Sequence, residues 1–266
     1  MKKVKIHKLN KDEFFKTFDI SKEYFTSTGL EWDNLNKIYA DYCKIVPLLE
    51  KEAEHIVSKL IDVPLVHSVR RRVKEPSHLI EKIIRKGKKY HDLNIDVTNY
   101  TKIVTDLIGI RVLHLFKDDW INLHKSITDI WETKEIPQLN VRYGDYNMEN
   151  LEDQLKDIDC EIIIREYGYR SVHYLIGANI SKSKETFIEI QARTVFEEAW
   201  SEIDHIIRYP YDTDNPILTE YLAIFNRIAG SADEMGMFIK KLKAEVGNNG
   251  KELGNNSKRE LDLKFK

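Results

Sequence analysis

Glu189-Ile190-Gln191-Ala192-Arg193-Thr194 is the stretch whose reading decides the architecture. Strand side chains alternate, so Glu189, Gln191 and Arg193 point one way while Ile188, Ile190 and Ala192 point the other. The apolar set has a core to enter. The polar set puts a carboxylate, an amide and a guanidinium on one face. Thr194-Val195-Phe196-Glu197 then has the spacing of a capping box, and Phe196, Ala199, Trp200, Ile203 and Ile207 recur at helical intervals. A strand therefore feeds directly into an amphipathic helix. A solvated edge strand also shows E-x-Q-x-R, so the meaning of the polar face depends on the rest of the chain.

Upstream, residues 10–62 read as helices, with Leu35, Ile38, Tyr39, Tyr42 and Ile45 in one run and Leu49, Ala53, Ile56, Val57 and Leu60 in a second. Val66 to Lys74 alternates as a strand with Ser68, Arg70, Arg72 and Lys74 on one face. Pro76 suits the first turn of a helix whose apolar stripe is Leu79, Ile80, Ile83 and Ile84. A second strand lies within Ile103 to Phe116, after which Asp118 or Asp119 is placed to cap a helix through Trp120, Leu123, His124, Ile127 and Trp131. A short helix is expected over Asn150 to Asp157, and strands over Glu161 to Arg165, Ser171 to Gly177 and Phe187 to Ala192. A last helix or pair covers Leu218 to about Val246, and the Gly, Asn and Lys content beyond Gly247 suggests a flexible tail. The expected organisation is a helical N-terminal layer (1–65), a mixed core (66–210), C-terminal helices (211–246) and a tail (247–266).

With 266 residues and 42% hydrophobic content, the chain can bury one substantial core with helical extensions. The net charge of -2 hides segregation: His67 to Tyr90 holds nine Lys or Arg against two Glu, and Asp145 to Glu161 holds seven acids and one Lys. A polyanion would be drawn to the first segment. Cys43 and Cys160 are the two cysteines, in no paired motif, which argues against a disulfide framework or a zinc site and for a reducing cytoplasm. No apolar run follows the basic N-terminus and none reaches the length of a membrane span, so a cytoplasmic protein without membrane association is expected.

Several residue groups have chemistry in reach. Arg72 and Lys74 at a strand end, with Lys82 on the next helix, make a clamp for a polyphosphate, although a basic solvated face has the same composition. Asp106 lies in an otherwise apolar stretch and is costly to bury unless paired, which leaves a salt bridge or a magnesium ligand. Gly168-Tyr169-Arg170-Ser171-Val172-His173 is a Gly-marked turn entering a strand, with a ring able to stack on a base. Glu198, Glu202 and His205, at i, i+4 and i+7, share one helix face.

Together D-x-x-G-x-R at Asp106–Arg111, G-Y-x-S-x-H at Gly168–His173 and E-x-Q-x-R-T at Glu189–Thr194 resemble the synthetase domain of the RelA/SpoT family, and more closely its short stand-alone alarmone synthetases, over roughly residues 66 to 210. The resemblance implies an α+β fold, a mixed β-sheet of nucleotidyltransferase type flanked by helices. It implies transfer of pyrophosphate from ATP to the ribose 3′ oxygen of GDP or GTP, with Mg2+ as cofactor. Arg72 and Arg111 would sandwich adenine, and Lys74 and Lys82 would hold the ATP phosphates. Asp106 and Glu189 would be the metal ligands, Glu189 also orienting the 3′ hydroxyl with support from Gln191 and Arg193. Tyr169 would stack on the acceptor base, and His173 and Arg165 would hold acceptor phosphates. Glu198 falls near a position that is often Asn in the short enzymes, where a carboxylate could accept from guanine N1 and N2. The chain departs from the family at His78, where the family's R-x-K-x-x-x-S segment, here starting at Arg72, has Ser, and at Tyr209-Pro210, where a Tyr-Lys pair is usual.

His91-Asp92 is a solitary dipeptide in a basic, loop-like stretch, and the region before it is too short and helical to hold the hydrolase domain of two-function relatives, so that domain is not expected. No Gly-rich phosphate loop is present, so ATP would be held without one. Three readings stay open: a (p)ppGpp synthetase, a toxic relative that transfers pyrophosphate to the tRNA 3′ end, and a nucleotide-sensing binding module. A homo-oligomer is expected by analogy with the short enzymes.

Overall fold

In the computed structural model, residues 8–142, 155–156, 158–165, 168–181, 184–208 and 215–264 are described, with side chains up to position 246. The expected short helix at Asn150 to Asp157 and the Tyr209-Pro210 departure lie largely or wholly outside them. Helices α1 (Lys11–Thr17), α2 (Lys22–Ser27) and α3 (Trp32–Leu60) open the chain. Both apolar runs of residues 35–60 belong to α3, which continues through Pro47 and buries Leu35, Ile38, Tyr42, Leu49, Ala53 and Leu60. Strand β1 (Val66–Val73) follows, then α4 (Pro76–Arg85), which starts on Pro76 and buries the expected stripe. Next come α5 (Gly87–Asp92), α6 (Tyr100–Ile103), β2 (Ile108–His114), α7 (Trp120–Ile130), β3 (Gln138–Val141), β4 (Glu161–Ile164), β5 (Ser171–Ser181), β6 (Lys184–Thr194), α8 (Val195–Arg208) and α9 (Pro216–Lys264).

The six strands form one sheet in the order β1-β2-β6-β5-β3-β4. β2 runs parallel to β6 and β3 parallel to β4, and the other neighbours are antiparallel, so the sheet is mixed as expected. Ile110, Val112, Ile188, Ile190, Ala192, Val172 and Tyr174 enter the core with the buried face of α3. The alternation read from Glu189 to Thr194 is therefore the alternation of the sheet.

Three expectations need correction. Strand β3 was not foreseen; its four residues are too short to show a period, and β4 and β5 flank it on both edges. Asp119 makes no side-chain cap on α7; a 3-10 turn at Lys117–Asp119 leads into that helix, and the buried Asp119 carboxylate takes Lys240 Nζ of α9 at 2.6 Å. The stripe expected of α8 does not face the core: Phe196, Ile203 and Ile207 are 44%, 44% and 39% exposed, and only Trp200 of the five is buried. Glu197 and Glu198 take the inward side instead because partners wait there. The last helix, α9, runs to Lys264. Lys, Arg, Glu and Leu between its Gly and Asn residues are good helix formers.

The capping box at the β6–α8 junction is complete. Thr194 N donates to Glu197 Oε2 at 2.7 Å, and Glu197 N donates to Thr194 Oγ1 at 3.1 Å. Thr194 Oγ1 also donates to Asp233 Oδ2 of α9 at 2.9 Å, and Trp200 Nε1 donates to the Leu222 carbonyl at 3.1 Å. These bonds tie the last two helices to the sheet. Burial, with repulsion from Glu197, pushes the Asp233 carboxyl up to about 7.

Candidate active site

Register assembles the polar face. Arg111 on β2 lies opposite Arg70 on β1 and beside Gln191 on β6, which in turn pairs with His173 on β5. One step along, Gly109 lies opposite Arg72 and beside Glu189. Directly paired residues share a face, so three sequence motifs separated by tens of residues become one surface. It floors a cavity of about 360 Å³ lined by Arg70, Arg71, Arg72, Lys74, Asp106, Gly109, Arg111, Glu189, Gln191, Glu202 and His205. A neighbouring lobe of about 340 Å³ shares Arg72, Lys74, Asp106 and His205, and extends to His78, Lys82, Arg85 and Lys86 on and after α4.

Asp106 stands where the two lobes meet. Lys74 Nζ is 3.1 Å and Lys82 Nζ 2.6 Å from Asp106 Oδ2. Burial would raise this carboxyl, but the two ammonium groups outweigh burial and hold it below its ordinary value. Burial also lowers the Lys74 ammonium, with Asp106 opposing. The Lys74 backbone is fixed by a bond from Tyr42 Oη to its carbonyl at 2.7 Å and by its N–H to the Leu107 carbonyl at 2.9 Å. Asp106 Oδ1 is buried with no hydrogen-bond partner.

Glu189 lies 3.3 Å from His173 Nδ1 through its Oε1. Burial would raise the Glu189 carboxyl, but the His173 and Gln191 contacts win and the acid is held low. The other His173 nitrogen, Nε2, is 2.9 Å from Tyr169 Oη. Arg193, 2% exposed, donates through Nη2 to Tyr169 Oη at 3.1 Å and to Gln191 Oε1, and its guanidinium sits 5.3 Å from the Tyr169 ring centre. Its Nη1 is 3.4 Å from Glu198 Oε2, an ion pair without hydrogen-bond geometry. Arg111 donates through Nη1 to Glu198 Oε1 at 3.0 Å and to Glu202 Oε1. Burial would lower the Arg111 guanidinium, but these two carboxylates raise it further.

Eleven of the twelve residues singled out from sequence thus belong to this cavity, its second lobe or the side-chain network behind it. Arg165 does not: it is exposed at the end of β4, donating through Nε to Asn140 Oδ1 at 2.5 Å. Glu198 is spoken for by two arginines. Glu202 and Arg70 also enter the wall; the sequence sets them on the faces of Glu198 and Arg72, and the resemblance gives neither a role. Among the described residues no group of three or more His, Cys, Asp and Glu could hold a metal ion. The donors that do suit one are Asp106, with its unpartnered buried oxygen, and the low-held Glu189. Two hard carboxylate donors suit a hard divalent cation. No helix among the described residues is long and apolar enough to cross a membrane.

The family model described as "Region found in RelA / SpoT proteins" matches residues 71–214. Over 189 residues, 67% of this chain and 75% of the relative, the chain is 26% identical to GTP pyrophosphokinase YwaC of Bacillus subtilis (strain 168). A GTP pyrophosphokinase family protein from Streptococcus pneumoniae has the same fold at a TM-score of 0.55 and 22% identity, over 76% of this chain and 94% of that one. Small alarmone synthetase 1 from Bacillus subtilis, solved bound to its product pppGpp, follows at 0.50 and 23% identity, over 76% and 96%. The matched span takes in more than half of the 266 residues and all three motifs whose register builds the cavity, and on that ground the chain belongs to the RelA/SpoT family.

Proposed function

We propose that this protein is an ATP:nucleotide 3′-pyrophosphotransferase, a (p)ppGpp synthetase that moves the β,γ-pyrophosphoryl group of ATP to the ribose 3′ oxygen of GDP or GTP. The observation that carries the reading is the convergence of Asp106 and Glu189, two anionic carboxylates, with Arg72, Lys74, Lys82 and Arg111 around one two-lobed cavity. A GTP pyrophosphokinase among the relatives and pppGpp in a structural neighbour support the substrate class.

In this reading Arg72 and Arg111 offer planar faces to adenine, and Lys74 and Lys82 exchange Asp106 for ATP phosphates. Tyr169 stacks on the acceptor base by the ring face opposite Arg193. His173 takes an acceptor phosphate, with Arg165 a more distant candidate for the same charge. Glu198 acts by holding Arg111 and Arg193. The 3′ oxygen bonds to the β-phosphorus, the bond from that phosphorus to the bridging α,β-oxygen breaks, and AMP departs with that oxygen. Glu189 is positioned to accept the hydroxyl proton, and its low pKa keeps it ionised at neutral pH. Asp106 and Glu189 would hold Mg2+, whose chemistry there is neutralisation of charge on the transferred phosphates. Most of the rate then comes from in-line placement and fixed charge.

The test uses ATP labelled on the β-phosphate, purified protein and Mg2+, with GDP, GTP, ATP and bulk tRNA in separate reactions. Label on GDP or GTP is expected. Label on tRNA alone would replace this reading with the tRNA-modifying one, and no transfer to any acceptor would leave a binding module.

A further inference from the structure

Asn226 lies on α9, beyond the span that matches the family, and is 2% exposed. Its Nδ2 donates to the Gly168 carbonyl at 2.8 Å, and its Oδ1 accepts from Arg170 Nη1 at 2.9 Å. Those two residues flank Tyr169. One amide therefore grips the chain on both sides of the aromatic ring, using its donor for backbone and its acceptor for side chain.

The joint is closely fitted. Gly168 has φ +76, and a Cβ there would lie 2.6 Å from Asn226 Oδ1. One turn further along α9, a Cβ on Gly230 would meet Arg170 Nη2 at 3.0 Å. Arg170 is buried, so its guanidinium needs a partner, and Asn226 supplies one. At the other end of the ring, Tyr169 Oη is held by His173 and Arg193. The ring is thus fixed at its tip by the sheet and at its root by α9. Docking the helix does not require this, because Thr194–Asp233 and Trp200–Leu222 already attach it.

We propose that Asn226 is a positioning residue for the purine of the acceptor nucleotide, setting the Gly168–Arg170 backbone so that Tyr169 presents its ring to the base. The inference rests on the acceptor role given to Tyr169 above. Asn226 touches no reacting atom, and its effect passes entirely through Tyr169.

The experiment measures transfer with ATP and the guanosine nucleotide varied separately, in wild type, Asn226→Ala, Asn226→Asp and Gly230→Ala, with melting temperatures alongside. Leu222→Ala, which loosens α9 packing and removes none of the hydrogen bonds from Asn226 to Gly168 and Arg170, is the control. Misplacing a binding group by a fraction of an ångström should raise KM for the acceptor about tenfold in both Asn226 variants while KM for ATP stays within about twofold. Gly230→Ala, a helix-favouring change, should move acceptor KM the same way by less, with no fall in melting temperature. Leu222→Ala should lower the melting temperature without splitting the two KM values. Equal changes for both substrates, or none, overturn the proposal. If the Asn226 variants do not fold, an unchanged acceptor KM in Gly230→Ala overturns it. Wild type that transfers to no guanosine nucleotide would remove the acceptor reading and this inference with it, whereas wild-type transfer with no split removes the inference alone.

Discussion

Asp233→Asn should make the protein more stable at neutral and alkaline pH, by an amount that grows with pH. Asp233 is 3% exposed and shares its surroundings with Glu197, while Lys117 and Arg170 offset only part of the cost of its charge. Its carboxyl titrates at about 7 in the fold against an ordinary value of 3.8. Between those values the native chain keeps a proton that the unfolded chain has lost, so stability falls as pH rises, and above about 7 the whole cost is present. At about 1.4 kcal/mol per pH unit, the wild type should lose on the order of 4 kcal/mol across that window. Asparagine has no charge to bury, and its oxygen can still accept from Thr194 Oγ1. The stability gap between variant and wild type should therefore widen in favour of the variant by about 3 kcal/mol from pH 4.5 to pH 8. Urea unfolding of both proteins at the two pH values, followed by tryptophan fluorescence, reads it directly. A gap that does not widen with pH, or a variant that is less stable at pH 8, would refute the reasoning.

Asp106→Asn should abolish pyrophosphoryl transfer, yet metal-free ATP should bind at least as well as to wild type, because Lys74 and Lys82 lose their competing anion; calorimetric titration in EDTA tests this. Gly109→Ala should leave the fold intact, since the nearest atom to an added Cβ is the Arg72 carbonyl at 4.0 Å, but should raise KM for ATP by narrowing the cavity floor. Melting curves together with kinetics separate the two effects. Thr194→Val removes the acceptor of the capping box and the bond to Asp233, and should cost about 1–2 kcal/mol in urea unfolding. A smaller loss would mean that the junction is held by packing alone.

Legibility from sequence followed the range of each signal. Alternation at Glu189–Thr194 and the stripe of α4 are local patterns with a period, and both are present in the fold. The short β3 has no room for a period, and its Asn140 is buried by bonds to Arg165 and Ser171 that only the folded chain brings within reach. The α8 helix is legible, but its inward face is not. Hydrophobicity points to Phe196, Ile203 and Ile207, whereas Glu198 is drawn inward by Arg193 at the end of β6 and by Arg111, which β2 brings from 87 residues away. The grip of Asn226 on Gly168 and Arg170 spans more than fifty residues and leaves no mark in either segment. The separate motifs could be found one at a time; the cross-strand register that joins them could not.

Under the proposed roles, the pairing of Lys74 and Lys82 with one oxygen of Asp106, while the other oxygen is left without a partner, would make metal and nucleotide binding interdependent. A cation that takes Asp106 frees two ammonium groups for phosphate, and phosphate that takes the ammonium groups frees the carboxylate for the cation. Thermodynamic reciprocity then requires each to raise the affinity of the other by the same factor. The concentration of free divalent ion would accordingly set the apparent affinity for ATP, so that the enzyme's saturation curve reports on two solutes at once.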